Sequence, residues 1–167
     1  MEKFSVIKHY ESLHDGDLKA IGLQPKMDPA GIWTEGWGHA MVNSKGKFII
    51  GPKYKAIAYA TSRITTIEQA QKQLELDVRS VNLLIARKIA VKLTDYQLEA
   101  LQAFYFNCGY SETLTALINA KSAELYKWWT THYITGQGSK IPLDGLVYRR
   151  KTEATLFTTG VLKFFNV

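Results

Sequence analysis

Three side chains near the start of the chain have the types and spacing needed for acid-assisted bond cleavage: Glu11, Asp28 and Thr34. Glu11 follows a short amphipathic segment. Asp28 stands six positions before Thr34, which lies in the glycine-punctuated aromatic stretch Gly31-Ile32-Trp33-Thr34-Glu35-Gly36-Trp37-Gly38-His39. Breaking a glycosidic bond takes one protonated carboxyl to feed the leaving oxygen, and a second group to handle water or the oxocarbenium ion. Aromatic faces separated by glycines suit the floor of a sugar site. Taken singly, each residue has a plainer reading. Most glutamates are solvated surface residues, Asp28-Pro29 is most simply a turn, and threonine is at home in strands.

Periodicity indicates which elements position these groups. Over residues 3–13, Phe4, Ile7, Lys8 and Glu11 fall at helical spacing, so a short amphipathic helix is expected with Glu11 near its end. His14 to Pro29 reads as an irregular excursion. Gly31 to Ile50 reads as short strands joined by turns, the best of them Asn43-Ser44-Lys45-Gly46, before Gly51-Pro52 breaks the pattern. From Ile64 the period turns helical: Thr65 and Glu68 match a capping box, and Ala70, Leu74, Val78, Val81 and Ile85 follow at spacings of three and four. Thr94 and Gln97 repeat the capping pattern ahead of Leu98, Leu101 and Phe104–Phe106, with Gly109 as the stop. Shorter helices are expected around 112–119 and 122–132, and a basic helix from Leu146 to Phe157. The expected fold is α+β and mostly α. It comprises an N-terminal lobe over about 1–64 with a small antiparallel β region, a connecting helix over about 65–88, and a helical lobe over about 89–167.

Composition narrows the partners. With 167 residues, 46% of them hydrophobic and 22% charged, the chain suits one folded domain and not a disordered segment. A formal charge of +6 favours polyanions: nucleic acid, an acidic membrane face or an anionic wall. Cys108, the single cysteine, has no partner for an internal disulfide. No apolar run approaches the roughly 18 residues of a spanning helix, and the first ten residues do not read as a signal peptide. A protein made in the cytoplasm without membrane insertion is expected, one that needs another factor for any export.

The whole arrangement resembles the phage-type lysozyme (endolysin, muramidase) family. Glu11-Ser12-Leu13 stands for the family's helix end Glu-Gly-Leu, and Thr34-Glu35-Gly36-Trp37-Gly38-His39 for its Thr-Ile-Gly-Tyr-Gly-His, with Asp28 at the family's six-residue offset from Thr34. Leu98-Glu99-Ala100-Leu101 through Phe106-Asn107-Cys108-Gly109 is similar to its apolar helix ending in Phe-Asn-x-Gly. Gly145-Leu146-Val147-Tyr148-Arg149-Arg150 with Glu153 is similar to its Gly-Leu-Val-x-Arg-Arg-x-x-Glu helix. Two departures stand out. The connection from Glu11 to Asp28 is longer than usual, and Glu35 occupies a position that is usually apolar, so Asp15, Asp17 and Glu35 compete with Asp28 as second carboxylate. The offset to Thr34 favours Asp28.

The resemblance implies hydrolysis of the β-1,4 bond between N-acetylmuramic acid and N-acetylglucosamine in bacterial peptidoglycan. Glu11 would act as general acid, and Asp28 and Thr34 would activate water on the opposite face. It implies a lysozyme-like two-lobed fold, no cofactor and a monomer. Trp37, His39 and Phe106 become candidate substrate-binding residues. Trp33 and Trp37 have core packing as their alternative, Phe106 a helix-core position, and His39 a structural hydrogen bond. No His or Cys stands at zinc-ligand spacing, so no metal is expected. Gly36-x-Gly38 lacks the Gly-Lys-Ser/Thr of a phosphate loop. Cys108 reads as a buried thiol, and Arg149-Arg150 with Glu153 as a structural ion pair.

A lytic transglycosylase would cut the same bond but needs no group to place water, which Asp28 and Thr34 supply. A cationic nucleic-acid or membrane binder would carry Lys/Arg runs, zinc spacing or aromatic-basic strands, none of which occur. The charge leads to a first prediction. Wall clearance should be faster at low ionic strength and slow as salt shortens the screening length to about 8 Å at 0.15 M; rates flat across a salt series would assign the basic surface another purpose.

Overall fold

The computed structural model describes residues 2–11, 23–136 and 138–166. Ser12 and Leu13 of the first motif and the competing carboxylates Asp15 and Asp17 lie outside the described residues, as does most of the stretch expected to be irregular. The described chain runs α1 (Ser5–Glu11), β1 (Lys26–Met27), β2 (Trp33–Glu35), β3 (His39–Ala40), a 3-10 turn (Pro52–Tyr54), α2 (Lys55–Thr61), α3 (Ile67–Lys88), α4 (Asp95–Cys108), α5 (Glu112–Asn119), α6 (Leu125–Thr131) and α7 (Asp144–Thr159). This is the expected mostly helical α+β class with a small antiparallel sheet, ordered β1-β2-β3. Two compact units emerge, one of Met1–Tyr10 with Val78–Val167 and one of Glu11–Asp77. Residues 1–10 thus group with the helices and not with the β region. Val6 and Ile7 are fully buried, and Val6 N donates to Glu99 Oε1 at 3.3 Å.

In the unit Glu11–Asp77 the strands are very short, but their pairing is specific. Lys26 faces Thr34 and Met27 faces Trp33; Thr34 faces Ala40 and Glu35 faces His39. Further bridges join Ile32 to Ile50 and Val42 to Phe48. The expected turn at Asn43–Gly46 forms: Asn43 Oδ1 accepts from Lys45 N at 2.9 Å and Lys47 N at 3.1 Å. Trp33 resolves to core, packed with Met41, Ile49 and Ala58, its indole donating to Gly51 O at 2.8 Å. The helix α2 has no counterpart in the sequence reading. Of its apolar residues only Ala58 is buried, so no amphipathic stripe announces it; Pro52 opens the preceding turn at a position that needs no N–H.

Helix α3 begins at Ile67, and its capping box is shifted by one residue from the expected Thr65/Glu68 pair. Gln69 N donates to Thr66 Oγ1 at 3.2 Å, and Gln69 Oε1 accepts from Thr66 N at 3.1 Å and Thr65 N at 2.8 Å. One amide oxygen serves both threonine N–H groups, an arrangement the Thr65 register does not offer. Glu68 instead places its charge in the first turn, where the helix dipole favours it. The second expected box, Thr94 with Gln97, forms as read, and Gly109 (φ 74) ends α4.

Helix α7 packs on α4 and α6, and its buried face includes three charged residues. Arg149, Arg150 and Glu153 are buried beside Ala154, Leu156 and Phe157, as the ion-pair reading expected. Glu153 Oε1 meets Arg149 Nε at 3.3 Å and Arg150 Nη2 at 3.2 Å, while its Oε2 accepts from the Trp129 indole at 3.1 Å. Arg150 also donates to Asn107 Oδ1 and Cys108 Sγ, both at 2.6 Å. Burial pushes the Cys108 thiol up to about 11, so it stays protonated. Among the described residues no helix is long and apolar enough to cross a membrane. Replacing Glu153 by Ala leaves two buried guanidiniums without their carboxylate and should cost about 3–5 kcal/mol in urea unfolding; a loss below about 1 kcal/mol, the size of a surface pair, would mean water reaches the cluster.

Candidate active site

The candidate residues Glu11, Asp28, Thr34, Trp37 and His39 all fall in the unit Glu11–Asp77. Glu11 ends α1 and is half-buried. Its carboxyl lies directly on Gly38: a Cβ built there would come within 2.7 Å of Glu11 Oε2 and 3.0 Å of its Cδ. Gly38 also has φ +79, a left-handed conformation unfavourable to other residues. At the other end of the same three-residue hairpin, a Cβ on Gly36 would meet Ile64 Cδ1 at 2.9 Å. The turn Gly36-Trp37-Gly38 thus has at both ends a glycine whose left-handed φ other residues rarely adopt, and a Cβ at either would make a neighbouring side-chain tip shift; Trp37 stands half-buried between them.

Lys26 links Glu11 to the sheet. Its Nζ donates to Glu11 O at 2.6 Å, satisfying a carbonyl at the C-terminus of α1, where a cation suits the helix dipole. Its own carbonyl accepts from Thr34 Oγ1 at 3.2 Å. Thr34 is buried, and with its proton engaged in that bond its oxygen is left to accept. Asp28 closes the β1–β2 turn: Oδ1 accepts from Ala30 N and Ile32 N, both at 2.8 Å, which leaves Oδ2 outside these two bonds. Chemically, Glu11 offers a carboxyl, and Asp28 and Thr34 offer oxygens that can accept a water's protons.

Glu35 is occupied elsewhere. Its side chain is buried, and Oε2 accepts from Ser62 Oγ at 2.8 Å, Arg63 N at 2.9 Å and Ile64 N at 3.3 Å. Strand alternation puts it on the face opposite Thr34. It anchors the connection from α2 to α3. His39 pairs with Asp77, Nδ1 lying 3.0 Å from both carboxylate oxygens, and Gln73 Nε2 donates to Asp77 Oδ1 at 2.8 Å. Glu35, His39, Arg63 and Gln73 line a pocket of about 370 Å³ in this unit. Phe106 sits half-buried on α4, in the other unit. Among the described residues no group of three or more His, Cys, Asp or Glu side chains could hold a metal ion.

Sequence reasoning missed Lys26, Asp77 and the Glu35 anchor. The pair Gln73 and Asp77, at i and i+4 on α3, was the unused signal, a polar patch on one helix face; Lys26, within an irregular stretch, gave no sign.

The hydrogen bond to Asp77 raises the His39 pKa above its ordinary value, against the opposing effect of burial. A raised folded-state value means the pair contributes in full below the unfolded pKa of about 6.5 and fades as pH rises through the folded one. Comparing urea unfolding of wild type and His39→Asn, the stability gap should be widest near pH 6 and close toward pH 9. It should not exceed about 1 kcal/mol, since both groups keep solvent contact; a gap that widens with pH would contradict the pairing.

Comparison with known proteins identifies the family. The family profile described as phage lysozyme matches residues 17–153. An endolysin of Acyrthosiphon pisum secondary endosymbiont phage 1 is 32% identical over 164 residues, covering 93% of this chain and 94% of the relative. Among solved structures, the endolysin from Escherichia coli O157:H7 phage FAHEc1 superposes with TM-score 0.68 at 27% identity, covering 96% of this chain and 92% of that one. A P22 lysozyme variant, at 22% identity and TM-score 0.63 over 95% of this chain and 100% of that one, shares the fold. The chain belongs to the phage lysozyme family and is a lysozyme-type cell-wall glycoside hydrolase.

Proposed function

We propose that this protein hydrolyses the β-1,4 bond between N-acetylmuramic acid and N-acetylglucosamine in bacterial peptidoglycan, acting as a monomer without a cofactor and causing lysis. The observation that supports the reading is the seat of the Glu11 carboxyl on Gly38, in the hairpin that follows the strand carrying Thr34. Glu11 gives its proton to the glycosidic oxygen as the bond from that oxygen to the muramic C1 breaks. Water adds to C1 from the opposite face, one hydrogen directed to Asp28, which takes the proton, and the other to Thr34 Oγ1. The products are a reducing muramic end and a free 4-hydroxyl on the glucosamine. Trp37, His39 and Phe106 serve the glycan as binding residues, His39 through the hairpin it fixes by its bond to Asp77.

The Asx turn at Asp28 makes a clean test available. Asparagine retains the Oδ1 acceptor for Ala30 N and Ile32 N but cannot accept a proton from water. Glu11→Gln should lower clearance of purified walls by about 10²–10⁴-fold with the fold intact. Asp28→Asn should also be severe and Thr34→Ala intermediate, while Glu35→Gln should cost stability yet alter the rate of folded enzyme by less than about tenfold, roughly 1.4 kcal/mol in the barrier. Product analysis completes the test. A 1,6-anhydro end would establish a transglycosylase, and an inactive Glu35→Gln beside an active Asp28→Asn would move the second carboxylate to β2.

A further inference from the structure

The segment after α7 has no part in this chemistry, yet one buried hydroxyl ties it to α1. Gly160 (φ 72) ends α7. Thr152, fully buried on α7, has its Oγ1 3.0 Å from Lys163 O, to which it donates, and accepts from Phe165 N at 3.1 Å. The same oxygen is 2.7 Å from the Tyr10 hydroxyl, which reaches Phe165 O at 3.1 Å. Next to this knot the His9 ring stacks on Phe164 with centroids 3.9 Å apart, and the Arg149 guanidinium lies 5.8 Å from the centre of the Tyr10 ring. Every one of these residues belongs to the helical unit, and Tyr10 is the residue immediately before Glu11.

We propose that Lys163–Phe165, tied through Thr152 to Tyr10, is a positioning strap that holds the last turn of α1 and so aims the Glu11 carboxyl. The proposal rests on the reading of Glu11 as general acid. A helix of seven residues is too short to be stable by itself, so the direction of its last side chain depends on what grips the final turn. Beside the Lys26 bond to Glu11 O, the grip is bonding and stacking on the two preceding residues, His9 and Tyr10. Burial pushes the Tyr10 phenol up, which keeps it a protonated donor across the working range. General-acid transfer requires heavy-atom separations within hydrogen-bond reach, and displacement of about 1 Å far from the chemistry can cost about 10²-fold. Tyr10 and Thr152 act as positioning residues, since neither is offered as touching the glycan.

The test uses the full chain and soluble glycan strands, comparing Tyr10→Phe, Thr152→Val, Thr152→Ser and Glu11→Gln at a temperature where each is folded. Tyr10→Phe and Thr152→Val should lower kcat by about tenfold with KM within about twofold, whereas Thr152→Ser, which keeps the hydroxyl, should stay within about twofold of wild type. Should Thr152→Val fail to fold, Tyr10→Phe, which loses only one oxygen atom, decides the matter. A lowered Tm with unchanged kcat in Tyr10→Phe, beside an inactive Glu11→Gln, overturns the strap and leaves the acid assignment standing. An active Glu11→Gln overturns both.

Discussion

The close seat of the Glu11 carboxyl over Gly38, where a side chain would stand in its way, is the constraint around which the candidate site is arranged. A methyl group at position 38 would make the carboxyl shift, and the left-handed φ of the hairpin there is a separate reason that glycine is favoured. Alternation along β2 places the adjacent Thr34 and Glu35 on opposite faces. The Glu11 end of the contact is held by Lys26, whose ammonium reaches the last carbonyl of α1 while its own carbonyl receives Thr34. A helix end, a strand pair and a hairpin tip are thereby joined through a few atoms.

The carboxylates of this protein divide according to the donors around them. Asp28 is oriented by two main-chain amides on one oxygen, which suits a group that must hold a fixed direction. Glu35 meets three donors and ties down a loop. Asp77 orients a histidine, and Glu153 lies between two guanidiniums and an indole in the helical core. Glu99 accepts from the start of α1, and burial raises its pKa. All are chemically similar residues, and only their surroundings separate structural uses from the catalytic use proposed for Glu11 and Asp28.

Much of the fold was legible in local patterns. The spacing of Ala70, Leu74, Val78 and Ile85 marked α3, and Thr94 with Gln97 and Gly109 marked both ends of α4. The turn at Asn43–Gly46 was readable from side-chain chemistry alone. By contrast α2 was invisible, because exposed apolar residues at 56, 57, 59 and 60 carry no period. Helix α7 was legible by motif rather than by stripe, since its buried face mixes Arg149, Arg150 and Glu153 with apolar side chains.

By itself the sequence determined the order and type of the main elements, the family motifs and a short list of candidate carboxylates. Those signals arise between residues two to six apart, where helix turns, caps and hairpins are decided. The tertiary structure alone decided which carboxylate is committed to a structural bond. Glu35 meets its donors 27 to 29 positions away, His39 meets Asp77 38 positions away, and Tyr10 meets Thr152 142 positions away. Burial and hydrogen bonding at such separations depend on how the chain closes on itself, and no local pattern records that.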